Sequence, residues 1–262
     1  METLKNILYE KSEGFGFIYL NRPEMHNAMD ADMIEELSFL INEIPKDESI
    51  RSIVIRGKGK SFSSGADLNY MRSLIHSTKR ENIEDAGKLA ALFDNIYNCS
   101  LPIISVAHGN VSGGANGIVA ASDISICSDS TIFRFSELKI GLVPATISPY
   151  IVHRIGAAKA AELMFTSRSF SGTQAFAFGL VNKSVKEHEL DTQLRLLLDE
   201  IRTSGPIALR KAKLLIRAVA GKEIDSELRR FTTRLIADVR ISPEAQEGMN
   251  AFLDKRKPDW TK

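Results

Sequence analysis

The chain has 262 residues, of which 44% are hydrophobic and 26% are charged. This length and composition suit one sizeable folded domain, or a core with a small additional region. The formal net charge of +1 provides no general electrostatic attraction to nucleic acid or to membrane surfaces. No apolar stretch approaches the roughly 20 residues of a membrane-spanning helix, and the first residues resemble neither a signal peptide nor an Arg-rich leader. We therefore expect a cytoplasmic protein.

Patterns that would indicate a bound metal or nucleotide are incomplete. Cys99 and Cys127 adjoin apolar runs and lack metal-ligand spacing, so we expect buried thiols in a reducing compartment and no metal site. The residues Gly59-Lys60-Ser61 match the end of a phosphate-binding loop, but Val54 stands where the first glycine of that motif belongs. The sequence therefore predicts no separate cofactor.

The first third of the chain alternates between strand and helix patterns. Ile7 to Glu10 and Phe15 to Leu20 predict two strands of a hairpin around Glu13-Gly14. Asp30 is a suitable N-cap for a helix with an apolar stripe, and Ser52 to Arg56 predicts a β-branched strand. This order indicates an α/β core.

The polar stretch from Met71 to Glu84 predicts a surface loop, which a helical stripe from Ala86 to Tyr97 follows. Further helices are predicted at Ala145 to Ile155, Ala157 to Thr166 and Gly172 to Phe178. From Glu187 onward the patterns are long and amphipathic, which indicates a helical C-terminal region.

The stretch from Ala107 to Pro149 carries the strongest signs of chemistry. Gly113 and Gly114 stand between an apolar strand and an Ala-rich segment, which predicts a strand, a glycine turn and a helix start. Such a turn lets a ligand approach the backbone and offers unpaired N–H groups to a developing negative charge. Glu137 follows as a candidate for proton transfer. A tight structural turn and a solvated glutamate are the alternative interpretation.

Five blocks of sequence, taken together and in order, resemble the crotonase (enoyl-CoA hydratase/isomerase) superfamily. The resemblance covers essentially the whole chain. The blocks are Leu20 to Met29, Phe62 to Asp67, His108 to Asp123, Ser136 to Pro144, and Glu247 to Pro258.

The resemblance implies an α/β fold, namely a crotonase-like spiral of ββα turns with a helical C-terminal region. Residues 1–186 would form the spiral core, and residues 187–262 would form a helical region used for oligomerisation. Members of this superfamily are usually trimers or dimers of trimers, so we expect a homotrimer or a dimer of trimers. Strand and helix order alone does not distinguish this spiral from a doubly wound sheet.

The resemblance also implies a chemistry, which is stabilisation of the enolate of an acyl-CoA thioester. The backbone N–H groups of Ser64 and Gly114 would hold the thioester oxygen, and Glu137 would transfer the proton. Preorganised donors at an oxygen that gains charge lower the barrier of such a reaction. Coenzyme A would be part of the substrate. The Ser64 hydroxyl has a local turn bond as its alternative role.

Coenzyme A contacts are implied around the first two blocks and at the C-terminus of a neighbouring subunit. The arginine of the first block has an alternative role in a surface salt bridge. The residues implied in substrate or coenzyme A binding are Arg22, His26, Ala66, Asp67, Leu68, Gly117, Lys255 and Lys257.

Gly117 departs from the pattern of typical hydratases, which carry a first glutamate three residues after the oxyanion-hole glycine. We expect the missing side chain to leave volume for a branched or carboxylated acyl chain. Gly117 and the loop from Pro144 to Pro149 resemble the bacterial methylglutaconyl-CoA hydratase branch. Close helix packing is the alternative explanation for this glycine.

The sequence therefore predicts a hydratase that adds water to a 2-enoyl-CoA, with 3-methylglutaconyl-CoA of leucine degradation as a candidate substrate. A double-bond isomerase needs the same single carboxylate and oxyanion hole, so it remains an alternative. A non-catalytic member of the fold that binds coenzyme A or RNA is the second alternative, although the near-zero net charge argues against nucleic acid.

Overall fold

A computed structural model describes residues 4–261 of the chain. The described residues divide into two compact units. The first contains residues 4–99 and 103–194, and the second contains residues 100–102 and 195–261. All elements of the candidate site described below, apart from two lysines, belong to the first unit.

The elements alternate between strands and helices up to residue 185 and are helical after it. The strands are β1 (Ile7–Ser12), β2 (Phe15–Leu20), β3 (Ser52–Gly57), β4 (Ile103–Ala107), β5 (Asn110–Ser112), β6 (Ile124–Ser128), β7 (Ile132–Arg134), β8 (Phe170–Ser171) and β9 (Lys183–Val185). The α-helices are α1 (Ala31–Glu43), α2 (Leu68–Ser73), α3 (Lys79–Asn98), α4 (Ala115–Ala121), α5 (Ser148–Thr166), α6 (Gly172–Phe178), α7 (Leu190–Arg202), α8 (Pro206–Val219), α9 (Ser226–Arg240) and α10 (Pro243–Leu253). Short 3-10 helices include Pro23–Met25 and Glu137–Ile140.

Two sheets organise the first unit. The larger has the strand order β1-β2-β3-β4-β6-β9, in which only the β1–β2 pair is antiparallel. The smaller has the order β5-β7-β8. Strands β4 and β5 are followed by α4, and strands β6 and β7 are followed by α5, so two successive turns each give one strand to each sheet and then a helix. The α/β class with a helical C-terminal region is therefore confirmed.

Local sequence explains several element boundaries. The hairpin turns at Glu13 and Gly14, with φ of 51° and 80°, which matches a tight turn between twisted strands. Asp30 accepts a hydrogen bond from the Met33 N–H and caps α1, as its position in the sequence predicts. Both predictions are confirmed.

The predicted loop from Met71 to Glu84 is wrong for most of its length. Asp67 caps α2, and Thr78 begins α3 with a capping box in which Glu81 returns a bond to the Thr78 N–H. These caps stabilise two helical segments whose polar residues show no apolar stripe from which a helix could be predicted. The helix predicted from Ala145 begins at Ser148, and it continues to Thr166 with non-helical backbone at Gly156.

Candidate active site

Three backbone segments from separate parts of the sequence lie side by side in the first unit. The loop after β3 reaches the loop after β4 because these strands are neighbours and run parallel. Ser63 forms an isolated parallel bridge with Val111, and Ser112 pairs with Arg134 across β5 and β7. Residues 63–66, 111–114 and 134–137 are therefore brought together by sheet pairing.

Glycine permits this close approach. Gly65 and Gly113 have φ of 94° and 51°, a region that other residues rarely adopt. A Cβ on Gly65 would lie 2.9 Å from the Ser112 carbonyl oxygen, and one on Gly113 would lie 3.4 Å from Glu137 Oε1. A side chain at Gly65 would separate the segments, and the positive φ at Gly113 disfavours any other residue, so the predicted glycine turn has a structural requirement as well as a chemical one.

The N–H group of Ser64 is not available to a substrate. It donates to the His26 carbonyl oxygen at 2.9 Å, and the Ser64 hydroxyl lies 3.5 Å from the Met25 carbonyl oxygen. The prediction that Ser64 supplies an oxyanion donor is therefore wrong, because this donor already has a backbone acceptor. The hydroxyl contact is to a residue 39 positions away, so it is not the local turn bond that was given as its alternative role.

Ala66 presents a free N–H in its place. Gly65 and Asp67 face Met29, since the Met29 N–H donates to the Gly65 carbonyl and the Asp67 N–H donates to the Met29 carbonyl. In such a bridge the groups of the residue between them point the other way. Among the described residues, the N–H groups of Ala66 and Gly114 donate to no acceptor. Both N–H groups lie beside the glycine turn and are open to a ligand oxygen.

Glu137 begins the 3-10 helix that follows β7, and its carboxyl group lies against Gly113. Its Oε2 atom is buried and has no hydrogen-bond partner among the described residues. Burial raises the pKa of this carboxyl above its ordinary value, although the backbone N–H groups of Glu137 and Ser136 offset part of the rise. A half-buried carboxyl with a raised pKa beside open N–H groups is suited to proton transfer.

The space expected beside Gly117 is filled. A Cβ at this position would lie 2.6 Å from Phe93 Cε1 and 2.6 Å from Ile147 Cγ2, and both of those side chains are buried. The expectation of free volume for a branched acyl chain is therefore wrong. Gly117 permits α4 to approach α3 and the start of α5, as the packing explanation required.

The side chain of Arg22 is held inside the protein. Its guanidinium pairs with Asp30 at 2.9 Å and with Asp67 at 3.0 Å, and it donates to the Ala28 carbonyl oxygen at 2.7 Å. Arg22 thus joins the N-caps of α1 and α2. These ion pairs correspond to the salt-bridge alternative for Arg22, although they lie in a largely buried setting.

The Asp67 carboxylate is also fully hydrogen-bonded within the protein. Burial raises its pKa, but the N–H groups of Tyr70 and Asn69 and the Arg22 guanidinium outweigh that effect and lower the pKa overall. Both oxygens have partners, so any ligand contact at this position involves the backbone.

The other predicted binding residues are accessible. His26 is exposed, with Nδ1 3.3 Å from Ser61 Oγ, and Ala66 and Leu68 are exposed on the same loop system. Lys255 and Lys257 are exposed in the second unit, and their contact with a neighbour's substrate remains a prediction.

Residues 4–261 contain no cluster of His, Cys, Asp or Glu side chains that could hold a metal ion. Within the same range, no helix combines the length and apolar character needed to cross a membrane.

Comparison with known proteins identifies the family. A sequence model described as "Enoyl-CoA hydratase/isomerase" matches residues 10–262. The chain belongs to this family. The solved structure of an enoyl-CoA hydratase from Shewanella pealeana is similar with a TM-score of 0.95 and 32% sequence identity, covering 99% of this chain and 97% of that one. The crotonase resemblance and its spiral fold are thereby confirmed.

Relatives with names for different reactions align over most of their lengths. The short-chain-enoyl-CoA hydratase of Clostridium acetobutylicum is 27% identical over 97% of both chains. The mitochondrial Delta(3,5)-Delta(2,4)-dienoyl-CoA isomerase of Dictyostelium discoideum is 29% identical over 92% of this chain and 85% of its own. Family membership therefore fixes the fold and the general enzyme class more closely than the reaction.

Sequence reasoning missed two features of the site in this family member. The free N–H of Ala66 could be found only by knowing that Met29 pairs beside it, because sequence does not show which backbone groups have acceptors. Phe93 was visible in the apolar stripe of α3, but its contact with Gly117 depends on helix packing.

The filled space predicts that Gly117→Ala destabilises the protein. Overpacking a buried site typically costs about 1–3 kcal/mol, and the Cβ would meet a rigid ring and a β-branched side chain. The free energy of unfolding in denaturant measures this cost. Gly87→Ala is the matched control, because a Cβ there meets nothing within 4 Å and a helical Gly to Ala change contributes roughly 0.5–1 kcal/mol of stability. Equal stability of Gly117→Ala and the parent protein would show that the space is open after all.

Proposed function

We propose that this chain is an enoyl-CoA hydratase that adds water across the double bond of a 2-enoyl-CoA through an enolate of the thioester. The observation that carries the proposal is the Glu137 carboxyl beside the open N–H groups of Ala66 and Gly114. Its Oε2 atom is buried, and burial raises the pKa of the group. The hydratase names of similar proteins support the choice of reaction.

In the proposed reaction the two N–H groups hold the thioester oxygen throughout, and Glu137 acts first as a base and then as an acid. The Ala66 and Gly114 N–H groups donate to the thioester oxygen, where each preorganised donor lowers the barrier by roughly 3 kcal/mol. Glu137 removes a proton from water as its oxygen attacks C3, and the electrons of the double bond move onto the thioester as an enolate. Glu137 then returns the proton to C2 as the enolate collapses, which leaves hydroxyl on C3 and hydrogen on C2.

Coenzyme A is part of the proposed substrate, so the reaction needs no separate cofactor. The exposed residues His26, Ala66 and Leu68 are available to receive it. Arg22 and Asp67 would act by holding this loop in place, since their charged atoms are paired with each other.

A trimer or a dimer of trimers is proposed for the assembled enzyme, with Lys255 and Lys257 of one subunit near the coenzyme A phosphates of another. The second unit supports an interface because it exposes large apolar side chains on α8, α9 and α10, among them Ile216, Ile236 and Phe252. A cytoplasmic location remains part of the same proposal.

The acyl chain is the least constrained part of the proposal. The loop from Pro144 to Pro149 supports 3-methylglutaconyl-CoA by resemblance alone, whereas the packed surroundings of Gly117 give no added room for its branch. Both crotonyl-CoA and 3-methylglutaconyl-CoA therefore belong among the substrates to be compared.

A double-bond isomerase is the second candidate function, and one observation favours it. The position that carries the first of two glutamates in typical hydratases is occupied here by Gly117, with apolar Phe93 and Ile147 packed against it. A site with one carboxylate can move a proton between C2 and C4 without binding water. The similarity to a dienoyl-CoA isomerase is compatible with this reaction.

The masses of the products distinguish these functions. The purified protein is incubated with a panel of 2-enoyl- and 3-enoyl-CoA thioesters that includes the two named above. A hydratase adds the mass of water to a 2-enoyl-CoA, whereas an isomerase shifts the double bond of a 3-enoyl-CoA without a change in mass. Conversion of none of the thioesters, together with tight binding of coenzyme A or RNA, would instead indicate a non-catalytic member of the fold.

Glu137→Gln is expected to lower kcat/KM by at least about a hundredfold, because the amide has similar size but cannot accept the proton. Since the folded-state pKa of Glu137 is raised, activity should increase with pH along an acidic limb centred above the ordinary Glu value of 4.5. Because the folded state holds this proton more tightly than the unfolded state, the free energy of unfolding falls as pH rises from the unfolded to the folded pKa of Glu137. The Gln variant has no such loss, so it should be at least as stable as the parent at neutral pH.

Steady-state kinetics across pH and thermal unfolding measure these effects, and the exposed Glu48→Gln serves as the control. Near-normal turnover by Glu137→Gln would remove this carboxylate from the mechanism.

Gly114→Pro and Gly114→Ala separate the N–H donor from the size of the residue. The φ of −55° at Gly114 suits proline, and both variants place a Cβ against the flexible end of Met29. Only proline lacks the N–H, so its kcat should fall by roughly a hundredfold or more, while alanine retains most of its turnover. Circular dichroism checks that each variant folds. Similar turnover by the two variants would place the oxyanion donor elsewhere.

A further inference from the structure

Asn116 stands between Gly114 and Gly117 in the sequence, and its side-chain amide contacts three backbone carbonyl groups. Its side chain is fully buried on α4. Its Nδ2 atom donates to the carbonyl oxygens of Gly113 and Arg134, each at 3.0 Å, and lies 3.5 Å from the Val111 carbonyl oxygen. The Asn116 backbone N–H also donates to the Gly113 carbonyl, at 3.0 Å.

These bonds fix the orientation of one peptide plane. The carbonyl of Gly113 and the N–H of Gly114 belong to the same planar, trans peptide unit, so they point in opposite directions. Two donors from Asn116 hold the Gly113 carbonyl, and the Gly114 N–H is consequently directed away from Asn116. Neither Gly113 nor Gly114 has a side chain that could prevent this plane from turning.

The same amide reaches the segment that carries Glu137. The Arg134 carbonyl accepts hydrogen bonds from both Asn116 Nδ2 and the Gly113 N–H. Arg134 ends β7, and the chain then leads to Glu137, whose carboxyl lies against Gly113. One buried side chain therefore links the proposed oxyanion donor to the proposed base.

The orientation of the amide is well determined by its surroundings. The nitrogen faces three carbonyl oxygens, so the reverse orientation would place an oxygen against them. Oδ1 is buried and has no hydrogen-bond partner among residues 4–261, which is unfavourable for stability. An apolar side chain of similar size would avoid that cost, but it would lose both 3.0 Å hydrogen bonds from Nδ2.

We propose that Asn116 is a positioning residue that holds the Gly113–Gly114 peptide so that the Gly114 N–H faces the thioester oxygen at a fixed distance from Glu137. This inference rests on the proposed function. Asn116 itself does not touch the substrate, and it acts by orienting an oxyanion donor.

Asn116→Leu tests the proposal, because leucine has similar size and no donor, and Asn116→Ala is a second variant in case leucine does not fold. Ser122→Ala is the control: Ser122 Oγ donates to the Ile118 carbonyl at the other end of α4, so this variant loses a buried hydrogen bond of the same helix. Both Asn116 variants should lose at least about tenfold in kcat with little change in KM, since the lost orientation acts on the transition state. The Ser122 control should keep its kcat.

A 3-ketoacyl-CoA provides a spectroscopic measurement, because its enolate absorbs in the ultraviolet and carries the charge that the donors would stabilise. The parent protein should raise the enolate fraction of the bound thioester, and the Asn116 variants should lower it at equal occupancy. The acidic limb of the pH profile should shift little, because the surroundings of Glu137 are retained.

Two results would overturn the inference. One is a folded Asn116 variant with parental kcat and enolate absorbance. The other is a crystal structure of that variant in which the Gly113–Gly114 peptide keeps its orientation although activity has fallen. A parent protein that neither converts nor enolises any thioester would overturn the proposed function, and this inference with it.

Discussion

The close approach of three backbone segments at Gly65 and Gly113 is the constraint on which the candidate site depends. A Cβ at Gly65 would meet the Ser112 carbonyl at 2.9 Å, so any other residue would push the loop after β3 away from the loop after β4. Sheet pairing brings the segments near one another, but glycine lets them touch. The donors of Ala66 and Gly114 and the carboxyl of Glu137 converge because these segments do. The chemistry therefore follows from backbone packing more than from an accumulation of reactive side chains.

The hydrogen bonds and ion pairs of these segments also determine which charged groups of the site are free to act on a substrate. Arg22 lies close to the proposed coenzyme A loop, but its charge is already balanced by Asp30 and Asp67. The Asp67 carboxylate keeps a low pKa because N–H groups and the guanidinium outweigh its burial. Glu137 has no such partner for Oε2, so burial raises its pKa. Two acidic residues of neighbouring segments are thus assigned different roles by their hydrogen bonds: one is a structural cap, and the other is available for proton transfer.

Much of this organisation could be predicted from the sequence, and the failures have a common cause. The hairpin at Gly14 and the cap at Asp30 depend on neighbours within a few residues, and both predictions are confirmed. The choice between Ser64 and Ala66 depends on the backbone of residues 26–29, because the His26 carbonyl accepts the Ser64 N–H while Met29 bonds to the residues on either side of Ala66. The space at Gly117 depends on Phe93, which comes from a different helix. Local patterns do not contain these distant partners.

The filled space at Gly117 has a consequence for the proposed mechanism. With no second carboxylate there, Glu137 must accept the proton of water and later release it to C2. A carboxyl with the ordinary pKa would accept a proton poorly near neutrality, whereas one with a pKa raised toward the working pH can serve in both directions. The burial that leaves Oε2 without a partner therefore suits a one-carboxylate site. An isomerase also needs one carboxyl that removes a proton from one carbon and returns it to another. The raised pKa of Glu137 therefore supports enolate chemistry in general. Only the presence or absence of added water in the product distinguishes hydration from isomerisation.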